Sequence, residues 1–257
     1  MVAERHSVVS RETRRVPVQH SSAVTRRPSD PESIGAEVSR IVQDEARALG
    51  LDLTPAFFSR VRSFAMFLAI WGEKMSLTSR PHDVDDLAFH VIDSLMPVAL
   101  AASGKLPNLG RALQPGMEVL DLGSGAGFPG LVLASASRAH FTLCEARRKR
   151  TTFLTVTAEE LGLFDLTVKG DRITPSTFSS AFDLVMTRAL DGVNNFHTIA
   201  KAALKRGGLA MLYASPRQAA DLTARRIVGF ELAASAPYEV ARRGETVPRA
   251  IVMWRKA

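Results

Sequence analysis

The stretch that decides the fold is Asp121-Leu122-Gly123-Ser124-Gly125-Ala126-Gly127-Phe128-Pro129-Gly130. It follows the apolar run MEVLDL at 117–122 and precedes a helical pattern at 131–137, so it joins a strand to a helix. Its three alternate glycines let the backbone approach a ligand closely and adopt positive φ angles. Asp121 stands at the carboxyl end of the strand, where open α/β sheets bind their ligands. The stretch therefore predicts a ligand-binding turn.

Strand and helix patterns alternate downstream of this turn. Short apolar runs predict further strands at 141–145, 166–168, 182–188 and 209–213. Helical spacing of apolar residues predicts helices between them, at 148–161 and 194–204. Residues 205–208, Lys-Arg-Gly-Gly, are typical of a helix C-terminus. This alternation predicts an α/β protein with a doubly wound, mostly parallel sheet. The strand candidates 230–240 and 249–254 have no helix between them, which predicts an antiparallel pair at one edge.

The composition narrows the classes of protein to which the chain can belong. Its 257 residues are 46% hydrophobic, which is enough for a globular core. The single cysteine, Cys144, excludes a disulfide framework, and no apolar run is long enough to span a membrane. We therefore expect a cytoplasmic protein. The net charge of +7 favours a polyanionic partner, nucleic acid first, and no metal is expected because zinc-ligand spacing is absent.

A second carboxylate, Glu145, ends the second predicted strand. There it can accept two hydrogen bonds from a ribose diol, which S-adenosylmethionine and NAD both carry. Residues 125–130 also satisfy the dinucleotide pattern G-x-G-x-x-G, so NAD stays an alternative, and a purely structural turn is a third. We favour S-adenosylmethionine because Asp121 would repel a pyrophosphate but suit a cationic amine. Pro129 also removes a backbone amide from the turn, and the antiparallel edge is unlike an all-parallel dinucleotide-binding sheet.

The chain divides into three predicted parts. Residues 1–30 are rich in Arg, Ser and Thr, and we expect a disordered basic tail there, with a transit peptide as the alternative. Residues 31–116 have helical spacing followed by glycines and prolines, which predicts an N-terminal helical region and a connecting loop. Residues 117–257 are predicted to form the S-adenosylmethionine-binding catalytic domain.

Five motifs resemble those of one known family. They are W-G-E-K-M-S-L-T-S at 71–79, H-V-I-D-S-L at 90–95, V-L-D-L-G-S-G-A-G-F-P-G at 119–130, T-R-A-L at 187–190 and P-R-A-I-V at 248–252. The chain resembles the bacterial 16S rRNA (guanine-N7) methyltransferase G family, also called glucose-inhibited division protein B. The third motif is far more specific than a generic glycine loop, and the second strengthens it.

The resemblance implies a class I, Rossmann-like methyltransferase that transfers methyl from S-adenosylmethionine to N7 of a guanosine in 16S rRNA, either naked or in the small ribosomal subunit. It implies that Gly123 and Phe128 contact the donor, that Glu145 holds its ribose, and that residues 171–173 border the adenine. Arg188, at the end of the fourth strand, would line the site and position the base or the donor carboxylate. The candidate cofactor-binding residues are therefore Asp121, Gly123, Gly125, Phe128, Glu145, Asp171, Arg172, Ile173 and Arg188.

Three departures from the family pattern bear on these roles. The family usually has Asn at the position of Ser76, Ala-Glu at Arg172-Ile173, and Leu-Lys-Gly where this chain has Tyr213-Ala214-Ser215. The first two concern contacts within the site. The third removes a lysine that could contact RNA, so a changed substrate is one reading of it.

Three polar sets have two interpretations each. Arg188 is either a positioning residue or part of a surface ion pair, and its place at a strand end favours the first. His90, Asp93 and Ser94 share one helix and form either a catalytic set or a tie between the helical region and the catalytic domain, which we favour. The basic run 147–150 is either an RNA contact or a solvated start of a helix.

Guanine N7 explains why no general base is apparent near the glycine turn. N7 is an exposed lone pair that carries no proton at neutral pH, so alignment and exclusion of water are enough for attack on a sulfonium methyl. Two other functions remain open. One is methylation of another RNA or of a protein, and the other is RNA binding by a protein whose methyltransferase site is vestigial.

Overall fold

The computed structural model describes residues 30–188 and 193–257. The helices in those ranges are α1 (Pro31–Ala48), α2 (Pro55–Met75), α3 (Val84–Ala102), α4 (Leu109–Ala112), α5 (Gly130–Ala136), α6 (Arg148–Glu160), α7 (Val193–Ala203) and α8 (Pro216–Thr223). The strands are β1 (Glu118–Leu122), β2 (His140–Cys144), β3 (Leu166–Lys169), β4 (Phe182–Thr187), β5 (Leu204–Ala214), β6 (Phe230–Arg242) and β7 (Glu245–Lys256). The tail predicted at 1–30, apart from Asp30, and the end of the T-R-A-L motif at 189–190 lie outside the described residues.

The described strands form one mixed sheet in the order β3-β2-β1-β4-β5-β7-β6. The five strands from β3 to β5 pair in parallel, and β7 pairs antiparallel with both β5 and β6. The chain therefore starts in the middle of the sheet, winds outward to β3, and returns to build the other side from β4. This order confirms the doubly wound, mostly parallel α/β sheet predicted from the sequence, and it confirms the antiparallel pair at one edge.

Both faces of the sheet are covered by helices. Side chains alternate between the faces along each strand, so Val119 and Leu120 of β1 enter different cores. The first core also takes residues from α1, α2, α3, α5 and α6, and the second takes residues from α7 and α8. The N-terminal helices thus share a core with the face beneath the glycine turn. Among the described helices, none has the length and hydropathy that a membrane crossing requires.

Local sequence signals explain where several helices begin. The side chains of Asp30, Thr54 and Asp83 accept hydrogen bonds from backbone amides in the first turns of α1, α2 and α3. Pro31 and Pro55 occupy the first helical position, where a missing amide costs nothing. Thr54 and Pro55 therefore cap and begin α2.

Two details differ from the sequence prediction. Residues 205–208 do not end a helix but lie in β5, because α7 ends at Ala203 and the chain passes directly into the strand. Gly207 has a left-handed φ of 75° within this strand. Glycine adopts the same conformation at helix C-termini, so the pattern Lys-Arg-Gly-Gly resembles a helix end. Helices α4 and α8 were not predicted, since α4 has four residues and α8 has eight, which is too short for a clear apolar period.

Two buried carboxylates on α3 tie this helix to the far side of the sheet. Asp86 and Asp93 are both fully buried. Arg242 donates to Asp86 through Nε at 2.8 Å, and Asp93 accepts from the Tyr238 hydroxyl at 2.6 Å and from Arg249 Nε at 3.3 Å. These three partners lie where the β6–β7 hairpin runs past the end of β5. The contacts of Asp93 accordingly agree with the interpretation of a tie between elements.

We expect the substitution Asp93→Ala to lower the free energy of unfolding by about 3–5 kcal/mol, because it leaves the largely buried guanidinium groups of Arg188 and Arg249 without their counter-charge. The measurement is urea denaturation followed by circular dichroism. Asp44→Ala is the matched control, since Asp44 pairs with Arg40 and Arg47 on the exposed face of α1, where an ion pair contributes about 0–1 kcal/mol. Equal effects of the two substitutions would contradict the tie.

Candidate functional site

The glycine turn is held against the end of β2 by backbone hydrogen bonds. The amides of Gly123 and Ser124 both donate to the Cys144 carbonyl, at 2.9 and 3.0 Å. The φ angles of Gly123, Gly125 and Gly127 are 77°, 59° and 100°, all in the left-handed region that favours glycine. A Cβ on Gly127 would lie 2.5 Å from Leu131 Cδ1. The turn thus needs glycine for its backbone angles and for its close packing, as the sequence predicted.

Asp121 lies beneath this turn and is fully buried. Its Oδ2 accepts a hydrogen bond from the Gly130 amide at 3.1 Å, while Oδ1 has no partner among the described residues. Gly130 has to be glycine, because a Cβ there would lie 2.5 Å from Asp121 Oδ2 and 2.3 Å from Leu143 Cδ2. Burial raises the pKa of Asp121 to about 7. The carboxylate therefore has an unused acceptor oxygen and lacks a full counter-charge.

Glu145 follows β2 and faces the same turn. Its Oε2 accepts from the Gly125 amide at 3.1 Å, and its Oε1 accepts from the Arg147 amide at 2.8 Å. The side chain is nearly buried, yet both of its partners belong to loops at the open edge of the sheet. A diol that binds here would share or replace these amide contacts, so the carboxylate is already oriented for two donors.

Arg188, directly after β4, forms another wall of the site. Its Nε lies 3.1 Å from Asp93 Oδ2, and its Nη2 lies 2.7 Å from His90 Nδ1. The guanidinium carbon lies 5.7 Å from the centre of the Phe128 ring, and the His90 ring lies 5.1 Å from the same centre. The ion pair of Arg188 is buried, so the surface alternative for this residue is wrong. Phe128 of the turn packs against both of these side chains.

His90 is neutral in this arrangement. Its burial lowers its pKa, and the cation of Arg188 adds to the effect although Asp86 opposes it. With Nδ1 accepting from Arg188, the proton is assigned to Nε2, which lies 3.5 Å from Asp86 Oδ2. Burial also opposes ionisation of Asp86, but its bonds to His90 and Arg242 outweigh burial and hold its pKa at about 2. His90 thus connects Asp86, on the same helix, with Arg188 after β4.

The predicted adenine-bordering residues follow β3 at the same edge of the sheet. Asp171 and Arg172 are exposed, and Ile173 is half-buried against the second core. The Glu145 amide donates to the Lys169 carbonyl at 3.1 Å, which brings the end of β3 beside the glutamate. The three residues therefore lie at the edge that carries Asp121, Glu145 and Arg188, on its outer side.

Sequence reasoning missed the partners that hold this site together. Arg150 donates from Nη2 to the Ser76 carbonyl at 2.7 Å, and its Nη1 lies 3.8 Å from where a Cβ on Gly125 would be. The polar residues Asp86, His90 and Asp93, spaced four and three apart on an otherwise apolar helix, were a signal for buried partners. The identity of those partners was hidden because Arg242 and Arg249 lie some 150 residues later in the chain.

The described residues contain no cluster of three or more His, Cys, Asp or Glu side chains that could hold a metal ion. Cys144 is buried, and burial raises the pKa of its thiol to about 12. A buried thiol of this kind packs as a small apolar side chain and is not a nucleophile. The chemistry of the site accordingly depends on two carboxylates, one guanidinium and the backbone of the glycine turn.

Comparison with known proteins supplies the family. Residues 58–236 match the profile of the family described as GidB, rRNA small subunit methyltransferase G. Three proteins named ribosomal RNA small subunit methyltransferase G are similar in sequence. That of Ralstonia nicotianae is 32% identical over 69% of this chain and 78% of its own. That of Aromatoleum aromaticum is 33% identical over 76% and 89%, and that of Sorangium cellulosum is 30% identical over 82% and 84%.

The matched segment spans more than half of the chain and contains the glycine turn, Glu145, Arg188 and the buried carboxylates of α3. The relatives are matched over most of their own length, so the similarity is not confined to a common nucleoside-binding turn. The resemblance stated from the motifs is confirmed. The chain belongs to the rRNA small subunit methyltransferase G family.

Proposed function

We propose that this protein is an S-adenosylmethionine-dependent methyltransferase that methylates N7 of a guanosine in 16S rRNA. The observation that carries the proposal is the buried Asp121 carboxylate, with one oxygen unpartnered among the described residues, beneath the glycine turn of a member of this family. Family membership supports the substrate, and the chemistry of the turn supports the methyl donor.

The residues of the turn fit the donor. The methionine part of S-adenosylmethionine carries an ammonium group, and Asp121 Oδ1 offers a buried acceptor with negative charge. A pyrophosphate in the same place would be repelled by that carboxylate, because both are negatively charged. Burial would make this repulsion stronger. Arg188 is close enough to Asp121 to lower its pKa, so a cation also stands nearby for the methionine carboxylate. Asp121 and Arg188 together are complementary to the ammonium and carboxylate groups of an amino acid.

Other residues would hold the nucleoside part. Glu145 would accept from the ribose hydroxyls, since its carboxylate already receives two amide donors at the edge of the crevice. Gly123 and Gly125 would let the donor approach the backbone, and Phe128 would close one side. Residues 171–173 at the end of β3 would border the adenine.

The reaction asks for positioning more than for proton transfer. S-adenosylmethionine supplies a methyl group on a positively charged sulfur. Guanine N7 attacks without losing a proton, so the neutral His90 need not act as a base. Arg188, fixed by Asp93 and His90, would orient the base or the donor carboxylate, and the wall of Phe128 and His90 would exclude water.

Finer assignments belong to the same proposal. The chain would recognise its guanosine in naked 16S rRNA or in the small ribosomal subunit, and the net charge of +7 favours such a polyanion. Residues 117–257 would carry the donor site, residues 31–116 would form the helical region that covers it, and residues 1–30 would be a basic tail. A different RNA or a protein substrate would leave the donor site as described.

We expect Glu145→Ala to weaken S-adenosylmethionine binding by one to two orders of magnitude, because hydrogen bonds to a charged group contribute roughly 1.5–3 kcal/mol each. Isothermal titration calorimetry measures the change. Glu160→Ala, an exposed glutamate on α6, is the control and should bind like the wild type. Binding of NAD without binding of S-adenosylmethionine would contradict the proposal.

Asp121→Asn separates stability from function. The folded pKa of about 7 lies above the unfolded value of 3.8, so the ionised group destabilises the fold increasingly from about pH 4 to pH 7 and then by a constant amount. The substitution should therefore stabilise the ligand-free protein most above pH 7, by at most roughly 4 kcal/mol at 1.36 kcal/mol per pKa unit.

The same substitution should weaken S-adenosylmethionine binding, because the negative charge that meets the ammonium is gone. Urea denaturation at several pH values measures the first effect and calorimetry the second. A stability gain that does not shrink as the pH falls would show that Asp121 does not titrate as described. Unchanged binding would remove its role toward the donor.

The substrate is tested in a strain that lacks the gene. We expect its 16S rRNA to lose one N7-methylguanosine, as measured by mass spectrometry of nuclease fragments. The mark should return when the wild-type gene is restored and should not return with the Asp121→Asn gene. Retention of every N7-methyl mark in the deletion strain would contradict the 16S rRNA assignment, whereas donor binding would still stand.

A further inference from the structure

A small apolar slot lies between α2 and α6, outside the donor site. Its volume is about 170 Å³, and it is lined mainly by Phe67, Trp71 and Met75 from α2 and by Phe153 and Val156 from α6. Trp71 is 40% exposed and Val156 is 48% exposed. An open cavity with apolar walls of this kind can admit an apolar group.

The dimensions and the polarity of the slot restrict its occupant. Cavities that hold whole cofactors or substrates measure roughly 300–1,000 Å³, so this one suits a single ring system. Its inner surface is almost entirely apolar, yet Lys74 Nζ lies 5.5 Å from the centre of the Trp71 ring. An exposed indole ring accompanied by a cation is the arrangement on which single-stranded nucleic acids stack their bases.

Charge around the slot favours a polyanion. Arg148 and Lys149 are exposed and lie one helical turn before Thr152 and Phe153, which line the slot, so they flank its opening. Lys74 adds a third cation, while the carboxylate of Glu73 on α2 faces His82 at 3.5 Å. These cations, which can bind phosphates, therefore lie on the side of the opening nearer the start of α6. The exposed Glu159 and Glu160 lie one helical turn beyond Val156, at its other end.

The slot also lies next to the donor site. Met75 lines it, and the following residue, Ser76, accepts through its carbonyl from Arg150. Arg150 in turn lies beside Gly125 of the glycine turn, with Nη1 3.8 Å from a Cβ built there. One arginine side chain therefore connects the residue after Met75 with the neighbourhood of the glycine turn, which places the slot beside the proposed donor site.

We propose that the slot, lined by Phe67, Trp71, Met75, Phe153 and Val156, binds an unpaired base of the RNA substrate next to the nucleotide that is methylated. The proposal rests on the proposed function, because it names a subsite of the same reaction. The N-terminal tail is a poorer occupant, since residues 1–30 carry six arginines against three acidic residues and would meet a basic rim.

Tryptophan fluorescence tests occupancy directly. The chain has two tryptophans, and Trp254 is buried, so a change on adding RNA reports Trp71. We expect a short oligoadenylate and 16S rRNA each to quench the emission of the full chain, and we expect Trp71→Phe to abolish the quenching. Absence of quenching in a protein that methylates 16S rRNA would overturn the proposal.

Steady-state methyl transfer to 16S rRNA tests the contribution to substrate binding. Trp71→Ala should raise the KM for RNA about tenfold, within the range for loss of one base–aromatic stack, and leave S-adenosylmethionine affinity unchanged. Trp71→Phe should restore most of the loss, and Val156→Glu should raise the KM through repulsion of phosphates. The matched control is Phe164→Ala, an exposed aromatic in the loop that precedes the amino end of β3, with wild-type kinetics expected.

The outcomes distinguish the two proposals. If the wild type transfers no methyl group to 16S rRNA or to the small subunit, the proposed function fails. If it does so and Trp71→Ala has an unchanged KM, the function stands and the slot proposal is overturned. A change in Trp71 emission when residues 1–29 are deleted, without RNA present, would assign the slot to the tail and would also overturn it.

Discussion

The proposed donor site depends on a buried carboxylate that has no full counter-charge. Asp121 is held by the Gly130 amide, and only glycine at 130 leaves room for it. Its neighbours in the turn hold their shape through the Cys144 carbonyl rather than through the aspartate. The glycine turn therefore keeps a negative charge out of water at a cost in stability, and a bound cation would remove that cost.

The buried network on α3 provides the opposite charge. Asp86 and Asp93 face the guanidinium groups of Arg188, Arg242 and Arg249, and His90 is neutral, so the network has a surplus of one positive charge. Arg188 is the member that influences Asp121. One wall of the crevice is thus negative and the other positive, which suits the two ends of an amino acid. The same contacts fasten the N-terminal helices to the sheet, so the residues proposed to position the donor also contribute to folding stability.

The sequence predicted the elements that have a strong period and missed those that depend on distant contacts. The parallel strands, the antiparallel edge, the glycine turn and Glu145 follow from local patterns. The hydrogen bonds from Arg242 to Asp86 and from Arg150 to Ser76 do not, because they join segments 156 and 74 residues apart. Residues 205–208 were misassigned because glycine and basic residues end helices and also occur in irregular strands. The contacts of Phe128 with His90 and Arg188 could not be predicted either, because they join three separate segments of the chain.

The effect of each departure from the family pattern depends on whether the residue makes its contacts through backbone or side-chain atoms. Ser76 has φ of 53° and ψ of 49°, a left-handed conformation that Asn adopts more easily, but its contact with Arg150 uses the carbonyl. The change from Asn therefore costs backbone energy without removing that bond. The Tyr213 hydroxyl donates to the Ser94 carbonyl, and Ser215 caps α8. That departure exchanges a lysine for buried and capping contacts. Under the proposed function, the RNA contact of that lysine would have to come from other cations, such as the exposed Arg148 and Lys149.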